Sequence, residues 1–234
     1  MNDCMIGILA GMGPRSTAPF IDLVVNECQL QYGAKYDEEF PKMMIYSLPT
    51  PFFMDRPINH DIMKKTIAKG LQELESTGVN FIAIPCNTAH IYFNELKASV
   101  QVPLLNIVEE TLKNLPAGSS RVTLFSTSST FESDIYQKGI QKTGHKFIFK
   151  QEWQSEINNL IQCIKTNKND IQNGLLWNNL LNAVKQESVD YIIIACTDLN
   201  VVRDLIPSPV HFIDSSQCLA SAVVKKYMEL RKSD

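Results

Sequence analysis

The sequence lacks the cysteine spacing of a metal site or of a disulfide framework. The chain has six cysteines, and no two of them are spaced as a CxxC pair. The cysteines are Cys4, Cys28, Cys86, Cys163, Cys196 and Cys218. A structural zinc site needs four ligands at close spacing, and disulfide frameworks are typical of short secreted chains. Cys86 and His90 lie one helical turn apart, but this pair supplies too few ligands for a metal. We therefore expect reduced thiols and no metal.

The sequence also lacks a targeting segment, a membrane span and an excess of basic residues. No basic region precedes the short apolar run at the amino terminus, so a secretory signal is not indicated. No apolar stretch approaches about 20 residues, the length that crosses a bilayer. The net charge of −3 gives no electrostatic footprint for nucleic acid. We therefore expect a cytoplasmic protein with neither nucleic-acid nor membrane partners.

The first glycine loop lacks the third glycine of a dinucleotide-binding fingerprint. A predicted strand at residues 5–9 runs into Gly11-Met12-Gly13-Pro14 and then into a predicted helix at 15–31. Ser16 stands where the third glycine belongs, so dinucleotide binding is only weakly indicated. Two interpretations of the loop stay open. It is a tight turn for packing, or its backbone N–H groups bind an anion at the helix start.

The sequence contains two stretches with the same pattern, an apolar run followed by a cysteine. They are Phe81-Ile82-Ala83-Ile84-Pro85-Cys86-Asn87-Thr88 and Tyr191-Ile192-Ile193-Ile194-Ala195-Cys196-Thr197-Asp198. Each has the length and composition of a buried parallel strand that ends on a cysteine and is followed by helix-capping residues. Ligands of open α/β sheets bind at this edge, and the start of a helix favours thiolate. We therefore predict that Cys86 and Cys196 are facing catalytic cysteines.

A single cysteine at the end of an apolar strand is most often a small buried residue. The prediction that these cysteines are catalytic therefore rests on the repetition of the strand–cysteine pattern. The order of elements around each cysteine also repeats, with predicted strands at 42–47 and 102–107 in the first half and at 121–125, 145–149 and 210–213 in the second. Helices are predicted at 131–142 and at 60–76, where apolar residues recur at helical spacing, namely Met63, Ile67, Leu71 and Leu74. The pattern predicts an α/β fold of two similar lobes. Each lobe is a mostly parallel sheet flanked by helices, and pseudo-twofold symmetry relates the two.

The motifs together resemble the aspartate/glutamate racemase family. They are Gly11-Met12-Gly13-Pro14, Cys86-Asn87-Thr88-Ala89-His90, Thr127 with Thr130, and Cys196-Thr197-Asp198. The resemblance spans nearly the whole chain. It implies racemisation of aspartate and/or glutamate in a cleft between the lobes, with no cofactor and thus no pyridoxal phosphate. It also implies a homodimer.

The family's arrangement implies domain boundaries and residue roles as well. The last helix, 214–234, would join residues 1–113 as the first lobe, and residues 114–213 would form the second. One thiol, Cys86 or Cys196, would take the α-proton while the other delivers a proton to the opposite face. The residues implied to bind substrate are Met12, Gly13, Arg56, Asn87, Thr88, Thr127, Thr130, Lys165 and Thr197. His90 and Asp198 would support the site.

Other interpretations stay open at several of these positions. Thr88, Thr197 and Asp198 suit plain helix caps, and the charges of Lys165 and Arg56 suit solvated surfaces. The family pattern has glycine more often at positions 10, 129 and 195, and glutamate at 198.

Alternative functions stay open too. They are a related two-lobe enzyme of the hydantoin racemase, arylmalonate decarboxylase or maleate isomerase type, and a noncatalytic amino-acid-binding protein. The presence of both thiols favours an enzyme, because binding needs neither thiol. The sequence does not choose aspartate over glutamate, since one methylene changes binding by only about 1–3 kcal/mol. It does not assign a thiol to either enantiomer.

Overall fold

The computed structural model describes residues 4–53, 56–166, 170–203 and 206–231. Residues 54–55 of the proline-rich loop and 232–234 of the predicted last helix lie outside the described residues. The chain forms two compact units. Unit 1 contains the residues up to Ile107 together with those from Ser216 onward, and unit 2 is Val108–Ser215.

Both units are built on parallel sheets. The strands are β1 Met5–Ala10, β2 Lys42–Ser47, β3 Phe81–Ala83, β4 Arg121–Ser126, β5 Lys146–Phe147, β6 Tyr191–Ala195 and β7 His211–Asp214. The strand order is β2-β1-β3 in unit 1 and β5-β4-β6-β7 in unit 2, and every strand pair is parallel. The predicted α/β class with mostly parallel sheets is confirmed.

Helices connect the strands. They are α1 Thr17–Tyr32, α2 His60–Glu75, α3 Phe93–Ala98, α4 Ile107–Leu112, α5 Ser128–Glu132, α6 Gln137–Lys142, α7 Gln151–Lys165, α8 Asp170–Gln186, α9 Asn200–Arg203 and α10 Ser215–Arg231. Short 3₁₀ turns precede some of them. Among the described residues, no helix combines the length and the apolar character that crossing a membrane requires.

The core of unit 1 lies between its sheet and α2. An apolar stripe recurs at helical spacing on α2, and Met63, Ile67, Leu71 and Leu74 are buried against the sheet, as the sequence pattern predicts. The Asn59 side chain caps this helix by accepting a hydrogen bond from the Ile62 N–H at 3.1 Å.

The last helix, α10, docks on α1 through polar contacts within unit 1. Gln217 Nε2 donates to Glu27 Oε1 at 2.6 Å. Gln31 Nε2 donates to the Ser221 carbonyl at 3.0 Å. The Gln217 bond gives the buried Glu27 carboxylate a partner, and both bonds tie the carboxyl-terminal helix to the unit that contains Cys86.

The core of unit 2 is arranged around Trp177. This side chain on α8 is fully buried, and its ring lies 5.6 Å from those of both Phe125 and Phe212. Edge-to-face and tilted pairs at this distance are favourable beyond the area they bury. The same apolar cluster includes Cys196, so the packed core reaches the end of β6.

Two sequence-based predictions of local structure are wrong. The strand predicted at 102–107 is a single bridge between Leu104 and Ile82, because Pro103 has no N–H to donate and a helix begins at Ile107. The helix predicted at 131–142 is broken into α5 and α6. Asp134 has a positive φ of 58° between them, which a continuous helix does not allow.

Candidate active site

Cys86 lies just beyond the carboxyl end of β3 in unit 1. Ile84 and Pro85 separate it from the strand, and its N–H donates to the Ile84 carbonyl at 2.8 Å. The side chain is half-buried against the apolar cluster under α2, and it forms no disulfide. A 3₁₀ turn, Thr88–Tyr92, follows at once. A partly accessible thiol at a strand end is therefore in place for chemistry.

His90 holds the backbone of Cys86. The ring is 4% exposed, its Nδ1 lies 2.8 Å from the Cys86 carbonyl, and its Nε2 lies 3.2 Å from the Ile107 nitrogen. A backbone N–H can only donate, so Nε2 accepts and the ring proton is on Nδ1, which donates to Cys86. Phe93 stacks on the ring at 5.6 Å. The imidazole is thus neutral and fixed in one tautomer, which suits positioning rather than proton transfer.

The burial of His90 predicts how stability depends on pH. Burial lowers the pKa of His90 below its ordinary value of 6.5, and the Cys86 and Leu105 carbonyls, which can both accept from the protonated ring, oppose this shift. As the pH falls below that ordinary value, the unfolded chain binds a proton that the folded chain refuses. We expect the free energy of unfolding to fall by up to about 1.4 kcal/mol per pH unit until the lowered pKa is reached.

Urea unfolding between about pH 5 and about pH 8 measures this slope. The control compares His90→Gln, which removes the buried imidazole, with His211→Gln, which removes an exposed one. The His90 variant should lose part of the slope and the His211 variant should keep it. Equal slopes in the wild type and in His90→Gln would contradict this role.

The glycine loop follows β1 at the same sheet edge. Gly11 has a positive φ of 90°, and its N–H donates to Thr17 Oγ1 at 3.3 Å. Ser16 Oγ donates to the Gly13 carbonyl at 2.8 Å, and Met12 packs against the apolar cluster. The side chains of the helix start thus hold this loop, so the tight-turn interpretation of the sequence describes its local geometry.

The remaining predicted residues of unit 1 differ in burial. Asn87 is 3% exposed, its carbonyl accepts from the His90 N–H at 3.0 Å, and Thr88 is half-buried. Arg56 is exposed, with its guanidinium 4.3 Å from the centroid of the Phe53 ring. This cation–π contact orients the arginine on its own loop.

Cys196 follows β6 directly in unit 2. Its side chain is 7% exposed, and its carbonyl accepts from the Leu199 N–H at 3.0 Å to close the 3₁₀ turn Thr197–Leu199. Thr197 is half-buried beside it. Cys196 thus lies one residue beyond β6 and Cys86 lies three residues beyond β3, so both cysteines follow the carboxyl end of a parallel strand.

Thr127 and Thr130 lie at the end of the neighbouring strand, β4. Ser126 is paired with Ala195 in the register of β4 and β6, so Thr127 and Cys196 follow paired residues. Thr127 Oγ1 donates to Thr130 Oγ1 at 3.1 Å and accepts from the Thr130 N–H at 3.3 Å. Thr130 is fully buried. Thr127 thus caps α5, with Thr130 in the first turn of this helix, at the sheet edge that carries Cys196.

Lys165 and Asp198 are joined by an ion pair. Lys165 Nζ lies 2.7 Å from Asp198 Oδ2, and the side chains are 27% and 7% exposed. A second pair lies close by in the chain, with Arg203 Nη1 2.6 Å from Asp214 Oδ2. The sequence indicates no contact between Lys165 and Asp198, because no helix or strand period relates positions so far apart.

The structure therefore distributes the predicted residues between the two units. Unit 1 contains Met12, Gly13, Arg56, Cys86, Asn87, Thr88 and His90, and unit 2 contains Thr127, Thr130, Lys165, Cys196, Thr197 and Asp198. Within the described ranges, no group of three or more His, Cys, Asp or Glu side chains is placed to hold a metal ion.

Comparisons with known proteins agree with the motifs. A family model described as Asp/Glu/Hydantoin racemase matches residues 9–223. The broad specificity amino-acid racemase RacX of Bacillus subtilis (strain 168) is 50% identical over 224 residues, which cover 96% of this chain and 98% of that protein. A glutamate racemase of Persephonella marina is 26% identical over 206 residues, which cover 83% of this chain and 76% of that protein.

A solved structure shares the fold over nearly the whole chain. The aspartate racemase of Picrophilus torridus superposes with a TM-score of 0.82 and 27% sequence identity, covering 97% of this chain and 98% of that chain. The family model alone spans well over half of the sequence. The chain therefore belongs to the Asp/Glu/hydantoin racemase family and is an isomerase.

Proposed function

We propose that this enzyme interconverts the two enantiomers of an amino acid, with Cys86 and Cys196 as its acid–base pair. One observation supports the pairing above the others. In each unit a cysteine follows the strand that lies beside the first strand of that unit, β3 beside β1 and β6 beside β4. Proton removal and proton delivery on opposite faces of one carbon need two such groups.

The proposed reaction conserves atoms and charge. One cysteine thiolate takes the α-proton, so an S–H bond forms, the Cα–H bond breaks, and the electron pair delocalises into the substrate carboxylate. The opposite thiol then gives its proton to the other face of the α-carbon and becomes a thiolate. The two thiols have exchanged protonation states, and the reverse reaction uses them in the opposite roles.

The difficult step is stabilising the carbanion. The α-hydrogen of an amino acid is far less acidic than a thiol, so fixed donors must surround the substrate carboxylate. Thr127 and Thr130 are held at a strand end by their mutual hydrogen bonds, and Asn87 and Thr88 follow Cys86 at the start of a 3₁₀ turn. We assign these side chains and Thr197 to the carboxylate, and we propose that no cofactor is needed.

We further propose that aspartate and glutamate are among the substrates. The support is the resemblance of the motifs, together with the aspartate racemase of Picrophilus torridus at 27% identity. A wider range is the second candidate, because the relative at 50% identity is a broad specificity amino-acid racemase. Either candidate uses the same two thiols.

The test is exchange in heavy water followed by proton NMR. Each enantiomer of aspartate and glutamate is incubated with reduced protein, without added pyridoxal phosphate and after treatment with hydroxylamine and a chelator. We expect the α-proton signal to disappear while chiral chromatography detects the opposite enantiomer. Folded, reduced protein that exchanges none of the four would refute acidic-amino-acid racemisation. Activity lost on hydroxylamine treatment would refute cofactor independence.

A further inference from the structure

The Lys165–Asp198 pair places a buried carboxylate at the Cys196 end of β6. Asp198 lies two residues after Cys196, in the 3₁₀ turn Thr197–Leu199. Helix α7 packs against this turn, and Lys165 is the last residue of that helix. With 7% of the Asp198 side chain exposed, the carboxylate has lost most of its hydration, and the ammonium 2.7 Å away compensates it. The positive charge of Lys165 is therefore balanced by a carboxylate of the protein itself.

This ion pair affects how the protein recognises a second carboxylate on the substrate. An acidic side chain that approached Lys165 would also come within a few ångströms of Asp198, and like charges at that range repel. Arg203, on α9 just after the same turn, is likewise 2.6 Å from the Asp214 carboxylate. Within the part of the chain that the structure describes, Lys165 and Arg203 thus each have a carboxylate partner in unit 2.

We propose that Asp198 is a specificity-determining residue that removes the electrostatic advantage of acidic substrates. This proposal rests on the function proposed above and extends it to a substrate class. Amino acids with uncharged polar side chains, represented by glutamine and asparagine, are turned over at least as well as glutamate and aspartate. Asp198 acts through Lys165 and touches no reacting atom.

Glutamate and glutamine are the sharpest pair of probes, because they have nearly the same shape and differ in charge. The experiment measures kcat/KM for both in the wild type, in Asp198→Asn and in Glu187→Gln. Asparagine keeps the size of Asp198 and an oxygen for Lys165, but it leaves the ammonium charge unbalanced. Glu187→Gln is the matched control, since it removes the carboxylate of the more exposed Lys150–Glu187 pair in the same unit.

We expect the wild type to prefer glutamine or to treat both substrates alike. Asp198→Asn should raise the ratio of glutamate to glutamine kcat/KM by at least about tenfold, which corresponds to about 1.4 kcal/mol. Glu187→Gln should leave the ratio unchanged. A merely structural role of Asp198 would lower both values together and leave their ratio as it was.

The outcomes separate this proposal from the proposed function. Turnover of both substrates with a wild-type preference for glutamate of about tenfold, or an unchanged ratio in folded Asp198→Asn, would overturn the specificity role alone. If circular dichroism shows that Asp198→Asn is unfolded, the wild-type ratio of glutamate to glutamine kcat/KM still tests the specificity role. No turnover of either substrate or of their smaller homologues would overturn racemisation, and this role with it.

Discussion

Replacing either Cys86 or Cys196 by alanine should reduce racemisation by at least about 10³-fold, in both directions. In the proposed reaction each thiol acts in every turnover, as the base in one direction and as the acid in the other. Removal of either one therefore interrupts the same reaction. Initial rates from each enantiomer, measured by chiral chromatography, test this expectation.

The matched control is Cys218→Ala. Cys218 is a buried cysteine on α10 with 9% of its side chain exposed, and the proposed reaction gives it no role. Its replacement should leave the turnover of folded protein close to that of the wild type. Wild-type turnover in either Cys86→Ala or Cys196→Ala would contradict the two-thiol reaction.

Gly11→Ala should destabilise the protein by about 3 kcal/mol or more. Two independent penalties add at this position. The positive φ of 90° is strained for any residue with a Cβ, and a Cβ there would lie 2.6 Å from the Leu48 nitrogen and 2.7 Å from its oxygen. Both contacts are with the backbone of Leu48, whose N–H donates to the Ala10 carbonyl at 3.0 Å, so this neighbour cannot easily move.

Gly33→Ala separates the strain from the clash. Gly33 also has a positive φ, of 74°, at the end of α1, but nothing lies within 4 Å of the position of its Cβ. We expect this control to cost about 1 kcal/mol, the price of a left-handed residue alone. Thermal or urea unfolding measures both variants. Equal losses in the free energy of unfolding of Gly11→Ala and Gly33→Ala would contradict the added penalty, and they would show that a backbone shift relieves the close approach to Leu48.

The sequence predicts most of the sheet because periodicity and strand composition are local signals. The strand at 42–47 is found as β2 with the same bounds, and the apolar stripe of α2 faces the core as expected. The failures are places where a single residue overrides the pattern. Pro103 limits the last strand of unit 1 to one bridge, and the positive φ of Asp134 divides a helix that its flanking residues favour.

The candidate site was predictable wherever its residues follow a strand. Cys86 and Cys196 are predicted in this way, since carboxyl ends of parallel strands share one edge of a sheet, whereas Thr127 is implied by the family resemblance. Contacts between distant segments were not predictable. The bond from the Ile107 N–H to His90 and the Lys165–Asp198 pair join positions that no local period relates. They depend on tertiary packing.

The most direct test of the two-thiol account is the isotope content of both enantiomers at early times in heavy water. The base that removes the α-proton is not the group that delivers the new one. We therefore predict that the first product formed from a protiated L-amino acid carries deuterium at the α-carbon, while the remaining L-enantiomer keeps its proton. Equal deuterium in both enantiomers, or retained protium in the product, would show a single base and contradict the account.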